Sequence, residues 1–159
     1  LGYLKVEIDE IKTPVYLENK KKLFCIIYCM NLIKILTVEN ENNVEIYNLL
    51  EKLFKIIELD NWLVEFLYLE LNILKSVGYD INFKDYVVDK SINGQTKYIV
   101  DSSQKIIPNF LIDKNISPEN LNDIYSGFSI VGDFLDKTII KPNNKNYPSS
   151  RNDFVNLLK

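Results

Sequence analysis

The stretch Glu18-Asn-Lys-Lys-Lys-Leu-Phe-Cys-Ile-Ile-Tyr-Cys-Met-Asn-Leu-Ile-Lys-Ile-Leu36 decides the fold class of this chain. Leu23, Phe24, Ile26, Ile27 and Met30 set apolar side chains nearly all the way round a helix, the pattern of a central helix packed on several sides. The uninterrupted apolar run from Leu23 to Met30 is far short of the about 20 residues that cross a bilayer, and Asn31 and Lys34 come immediately after it, which excludes a membrane span. Cys25 and Cys29 lie one helical turn apart, with no other soft ligand to complete a metal shell and a poor geometry for a disulfide. They read as buried, reduced core thiols, suited to the cytoplasm.

Outward from this helix the pattern stays largely helical. A second helix is expected from Asn42 or Asn43, where Asn42 with Glu45 resembles a capping box, presenting Val44, Tyr47, Leu50, Phe54 and Ile57 and ending near Glu58. Asp60 is placed to cap a third, with Trp62, Phe66, Leu69, Ile73, Leu74 and Val77 on one side and Gly78 as the left-handed stop. Glu70 falls among these apolar positions. Either it needs a partner, since an unpaired buried carboxylate costs several kcal/mol, or it lies at the edge of the face.

Residues 84 to 107 change period: Tyr86-Val87-Val88 and Tyr98-Ile99-Val100 flank Asn93-Gly94, which predicts a β-hairpin with a short third strand at Lys105 to Ile107. Ser117-Pro118-Glu119 is expected to open a fourth helix with the face Leu121, Ile124, Tyr125, Phe128, Val131 and Leu135. Gly127 and Gly132 inside it each cost roughly 1 kcal/mol relative to Ala, so close approach of another backbone is the expected compensation. Lys141 to Ser150 reads as a connector, and Phe154, Val155, Leu157 and Leu158 as a short last helix. At the other end, alternation from Leu4 to Ile8 reads as a strand belonging to a preceding β domain, separated by Pro14 from the first helix. The expected fold is mainly α: a bundle of about five helices with a small β-hairpin insertion, plus that terminal strand.

Composition narrows function. With 159 residues, 47% apolar and 26% charged, the chain suits one globular domain or two small ones. A net charge of −3 and a pI near 5.1 exclude a strongly basic nucleic-acid wrapper, so any phosphate contact must be local. The absence of His removes Ser-His and Cys-His nucleophiles and His-ligated zinc. Alanine is missing and Arg151 is the sole arginine, a bias expected of an AT-rich genome. The start at Leu1, with no signal-peptide pattern, reads as a fragment of an intracellular protein.

Several segments, taken in order, carry a resemblance. Trp62, Phe66, Glu70, Leu74 and Val77-Gly78-Tyr79-Asp80-Ile81 resemble the helix and Leu-Gly-aromatic turn of the bacterial RecO family. Tyr98-Ile99-Val100 resembles its Tyr-Val-Ser segment, and Ile107-Pro108-Asn109-Phe110-Leu111 its Leu-Pro-x-Phe-Leu. Gly127-Phe128-Ser129-Ile130-Val131-Gly132-Asp133-Phe134-Leu135 is similar to Gly-Leu-x-Leu-Thr-Gly-x-Phe-Leu, and Tyr147-Pro148-Ser149-Ser150-Arg151 to Leu-Pro-x-x-Arg. Leu1 to Glu7 looks like the strand joining the family's OB-fold to its helical domain, so residues 1-13 would be the end of an OB-fold and linker and 14-159 the helical domain. The resemblance implies a non-enzymatic DNA repair mediator that binds and anneals single-stranded DNA and works with RecR. It also implies contact with the acidic, Phe-ending tail of the single-stranded-DNA-binding protein, and indirect help in loading RecA. Two departures stand out. Residues 81 to 159 contain no cysteine, which removes the zinc finger of some relatives, and Val100-Asp101-Ser102-Ser103-Gln104 replaces Ser-Pro-x-Thr-Gly.

Residues 137 to 159 hold Lys137, Lys141, Lys145, Arg151 and Lys159 against Asp153, a net of 5 − 1 = +4. Lys137, Lys141 and Lys145 are accordingly candidate DNA contacts, although a solvated lysine-rich tail is the preferred bland reading. Arg151, in a chain that otherwise uses lysine, marks a place needing a planar bidentate donor and is predicted to reach Glu70, tying the last helix to the third; the alternative is a phosphate clamp. Trp62, Phe54 and Tyr47 fit either a partner groove or the core, with the core preferred. Glu65 and Glu70, five apart, do not share a helical face, and no Gly-rich phosphate loop or nucleophile elbow is present. No catalytic residue, metal or cofactor is assigned. A helical adaptor that binds protein and not DNA is the alternative function.

Overall fold

The structure, a computed structural model, describes residues 13–38, 42–92, 95–100 and 105–159. The expected strand at Leu4 to Ile8, the Asn93-Gly94 turn and residues 101 to 104 lie outside them. Among the described residues six α-helices carry the fold: α1 (Lys20–Leu36), α2 (Val44–Ile56), α3 (Trp62–Ser76), α4 (Asn109–Ile112), α5 (Leu121–Phe134) and α6 (Ser149–Leu158). Strands β1 (Val87–Ile92), β2 (Gln95–Val100) and β3 (Ile106–Ile107) form an antiparallel sheet in that order, with Val87 opposite Val100 and Tyr98 opposite Ile107. These four residues share the face that packs on the helices, as the two-residue period of a strand requires.

α1 lies against α6 and α3, and α3 in turn against α2 and α5. Cys25, Ile26, Tyr28, Cys29 and Leu32 are buried on α1, but Ile27 and Met30 are about 40% and 39% exposed, so this helix is not enclosed on every side. Chain punctuation obeys local hydrogen bonding. Asn19 caps α1 by accepting from the Lys22 N–H, and Asn43, rather than Asn42, caps α2 by accepting from Ile46. α3 begins after Asn61, without a side-chain cap from Asp60. It ends as expected: Gly78 sits at φ +93°, with its N–H on Lys75 and the Tyr79 N–H on Leu74, the paired bonds of a Schellman turn.

Three further expectations need correction. On α2, Ile57, Leu50 and Phe54 of the expected stripe pack on the core together with Ile46, Leu53 and Ile56, but Val44 and Tyr47 are 60% and 62% exposed, so the first turn of the stripe faces water. Extended at helical spacing, the Val44–Tyr47 stripe runs into Glu51 and Glu58, which favour water. α5 starts at Leu121, capped by Asn120 accepting from Asn122 and Asp123, and not at Ser117. It then widens into a π-helical segment, Leu135–Ile140, that closes on Asn144 at φ +51° in a second Schellman-type turn, Asn144 N–H on Lys141 and Lys145 N–H on Ile140. Finally, the glycines of α5 make room for side chains rather than for backbone. A Cβ on Gly127 would sit 2.7 Å from Leu67 Cδ2 and 3.0 Å from Phe110 Cζ. Gly127→Ala should therefore lower stability by about 1–3 kcal/mol in urea denaturation through overpacking, despite the better helix propensity of Ala.

Candidate functional site

The centre of the molecule is an ion pair in an aromatic box. Glu70 on α3 and Arg151 on α6 are 0% and 3% exposed, and Arg151 Nε donates to Glu70 Oε1 at 3.1 Å. The guanidinium also donates to the hydroxyl of Tyr28 (3.2 Å), the hydroxyl of Tyr147 (3.2 Å), Glu70 Oε2 (3.5 Å) and the Phe128 carbonyl (2.7 Å). Tyr28 in turn donates to Glu70 Oε1. Among the described residues no buried side-chain nitrogen or oxygen lacks a partner, the condition under which a buried pair avoids a net desolvation loss. Phe66, Phe128 and Phe154 close the box: Phe154 meets the other two edge to face with centroids 5.5 Å apart, and Arg151 lies over the Tyr28 and Phe128 rings at 5.6 and 5.9 Å.

Local sequence places each member. Pro148 accepts the Arg151 N–H at 3.0 Å to open α6, and Ser150 accepts from Asn31 at 2.9 Å to dock that helix on α1. Gly132 leaves the space for the guanidinium: a Cβ there would collide with Arg151 Nη1 and lie 2.9 Å from the Tyr147 hydroxyl. Burial alone would depress the Arg151 pKa, but Glu70, then Tyr28 and Tyr147, outweigh it and hold the guanidinium charged. Burial and the neighbouring Glu70 raise the Tyr28 hydroxyl. Burial raises Cys25 as well, and pushes the Cys29 thiol up to about 12. Both thiols are free and buried, where no nucleophile can work at neutral pH. With its donors directed inward, Arg151 is not arranged as a phosphate clamp.

The three candidate lysines do not gather in one cavity. Lys137 borders an apolar groove of about 310 Å³ walled by Ile81, Phe83, Tyr86, Val100, Ile107, Ile130 and Phe134, with Lys105 and Asp133 paired at its rim. Lys141 is held by Asp136 at 2.6 Å. Lys145 donates to the Ile35 carbonyl at the end of α1, where a cation suits the negative helix terminus. Two of the five cations counted in this region are thus paired with acids, Arg151 in the core and Lys141 at the surface. Trp62 and Phe54 are half-buried against the core, whereas Tyr47 faces solvent. The groove beside Lys137 was not legible in the sequence, because its walls come from segments far apart in the chain.

The architecture is that of a helical domain with a small antiparallel sheet docked on it. The family model described as "Recombination protein O C terminal" matches residues 17–123, and the chain belongs to this RecO family. It is 28% identical over 93 residues to a protein of Ehrlichia chaffeensis named DNA repair protein RecO. That match covers 57% of this chain and 38% of the relative. No solved structure matches the chain. Among the described residues no helix is long and apolar enough to cross a membrane.

The buried centre makes two outcomes testable. Glu70→Leu and Arg151→Met should each cost about 3–5 kcal/mol in urea denaturation, with the Glu70→Leu/Arg151→Met double variant recovering part of the loss; additive effects would contradict a coupled pair. The raised thiols and Tyr28 stay protonated in the fold while the unfolded chain releases their protons, so the folded state binds more protons and stability falls as pH rises. Unfolding free energy should hold steady near neutrality and decline above pH about 8.5, by up to about 1.4 kcal/mol per pH unit for each group titrating in the unfolded chain. Cys25→Ser/Cys29→Ser should flatten the first part of that decline.

Proposed function

We propose that this chain is the helical part of a recombinational DNA repair mediator, one that binds and anneals single-stranded DNA and acts with RecR. In this reading it also helps RecA onto gaps covered by single-stranded-DNA-binding protein, in the cytoplasm and without covalent chemistry. Family membership supports the repair role, and residues 1-13 read as the end of an OB-fold ahead of a helical domain from 14-159. The observation that carries a mediator is the groove beside Lys137. Phe83, Ile107 and Phe134 offer an apolar slot for an aromatic side chain, and Lys105 and Lys137 stand at its rim for carboxylates.

An acidic tail ending in Phe fits this arrangement: the ring enters the slot and loses water, while the terminal carboxylate and preceding acids meet the lysines. Asp133 tempers Lys105 through their ion pair, so Lys137 supplies the less neutralised charge. Lys137, Lys141 and Lys145 add positive charge from separate places on the surface, Lys141 the least because Asp136 holds it, to a field that draws DNA to the domain with affinity falling as salt rises.

In fluorescence anisotropy, a labelled acidic peptide ending in Phe should bind the chain, and Lys137→Glu should weaken it about tenfold, close to 1.4 kcal/mol. Removing the terminal Phe from the peptide should abolish binding. Equal affinity of the two peptides would remove the groove from the account, and tail binding without DNA annealing would select the adaptor reading.

A further inference from the structure

A second cavity, of about 530 Å³, opens between the last turns of α1 and the chain entering α6, away from the apolar groove. Its lining includes Lys34, Lys145, Asn31, Asn144, Asn146 and Tyr147, and contains no carboxylate. Lys22, Lys75, Lys105 and Lys141 are each paired with an acid, whereas Lys34 and Lys145 pair with no carboxylate among the described residues. The pocket has the volume of a small-molecule site and two cations that the fold does not neutralise with acids.

Its parts are also held in place before any ligand arrives. Lys145 is the residue after the left-handed Asn144, and its ammonium is fixed on the Ile35 carbonyl, so little side-chain freedom remains to be lost on binding. Asn31 is oriented by its bond to Ser150, and Tyr147 by the guanidinium of Arg151. Lysine ammonium groups suit backbone phosphate, amide side chains suit sugar and base edges, and a half-buried tyrosine ring offers a face for a base.

From this we infer that the pocket seats a nucleotide unit of a single nucleic-acid strand, with Lys34 and Lys145 on phosphate and Tyr147 beside the base. This deepens the proposed reading of the domain as a single-strand binder and rests on it. The site is distinct from the groove beside Lys137, so strand and acidic tail would occupy the domain together.

The test is anisotropy of fluorescein-labelled oligothymidylate with the whole chain, comparing Lys34→Glu with Lys21→Glu, a reversal of the same charge at the other, exposed end of α1. Lys34→Glu should weaken binding at least about fivefold and reduce the slope of log affinity against log salt by about 1, and Lys21→Glu should change affinity less than about twofold. Asn146→Asp should weaken binding in the same direction, and both variants should keep the helical circular dichroism of the parent. Equal effects of Lys34→Glu and Lys21→Glu would overturn the site while leaving strand binding intact. Absence of any binding by the parent chain would overturn the proposed reading itself. Displacement of the strand by orthophosphate at matched phosphate concentration would show a pocket for a free anion, and would also overturn the inference.

Discussion

Everything else in this fold is arranged around one buried charge pair, Arg151 with Glu70. An ionised guanidinium and carboxylate withdrawn from water are stable there only if they meet with good geometry and if their remaining donors and acceptors are occupied. Tyr28, Tyr147 and the Phe128 carbonyl provide that occupancy, and three phenylalanines exclude water around it. Four helices contribute: Tyr28 from α1, Glu70 from α3, Phe128 from α5 and Arg151 from α6. A single interaction therefore fixes the relative placement of the elements that carry both cavities.

The motifs that resemble the RecO family acquire a common meaning here. Gly132 admits the guanidinium, Gly127 admits Leu67 and Phe110, Phe110 accepts the Tyr68 hydroxyl, and the Tyr147-Pro148-Ser149-Ser150-Arg151 segment starts α6 and delivers Arg151. These residues build the core, whereas the surfaces proposed to bind lie at its edges. The groove beside Lys137 is bounded by the sheet and α5, and the second cavity by α1 and the approach to α6. Chain identity is thus legible in the packing, and partner choice must be read from the charge and shape of the margins.

Much of the core is legible in the sequence alone. An acid among apolar positions and a solitary arginine in a lysine-using chain are physical anomalies, and two anomalies of opposite charge suggest each other. The Gly78 stop is equally direct, because few residues tolerate positive φ. The features that sequence does not reveal depend on choices among near equals. Asparagine is so frequent that several positions offer a cap, and Asn120 takes α5 rather than Ser117. On α2 two apolar stripes compete, and only the acids at Glu51 and Glu58 mark the wetter one. The π-helical segment Leu135–Ile140 leaves no distinctive residue pattern, and the cavity walls come from segments far apart in sequence.

Native-state hydrogen exchange tests the central claim most directly. If the Arg151–Glu70 pair binds the last helix into the core, the most protected amides of α6 will exchange only through global unfolding, with the same free energy and denaturant dependence as those of α3. Exchange of α6 through a local opening, several kcal/mol cheaper and insensitive to denaturant, would show a helix that merely rests on the bundle, and would contradict this account.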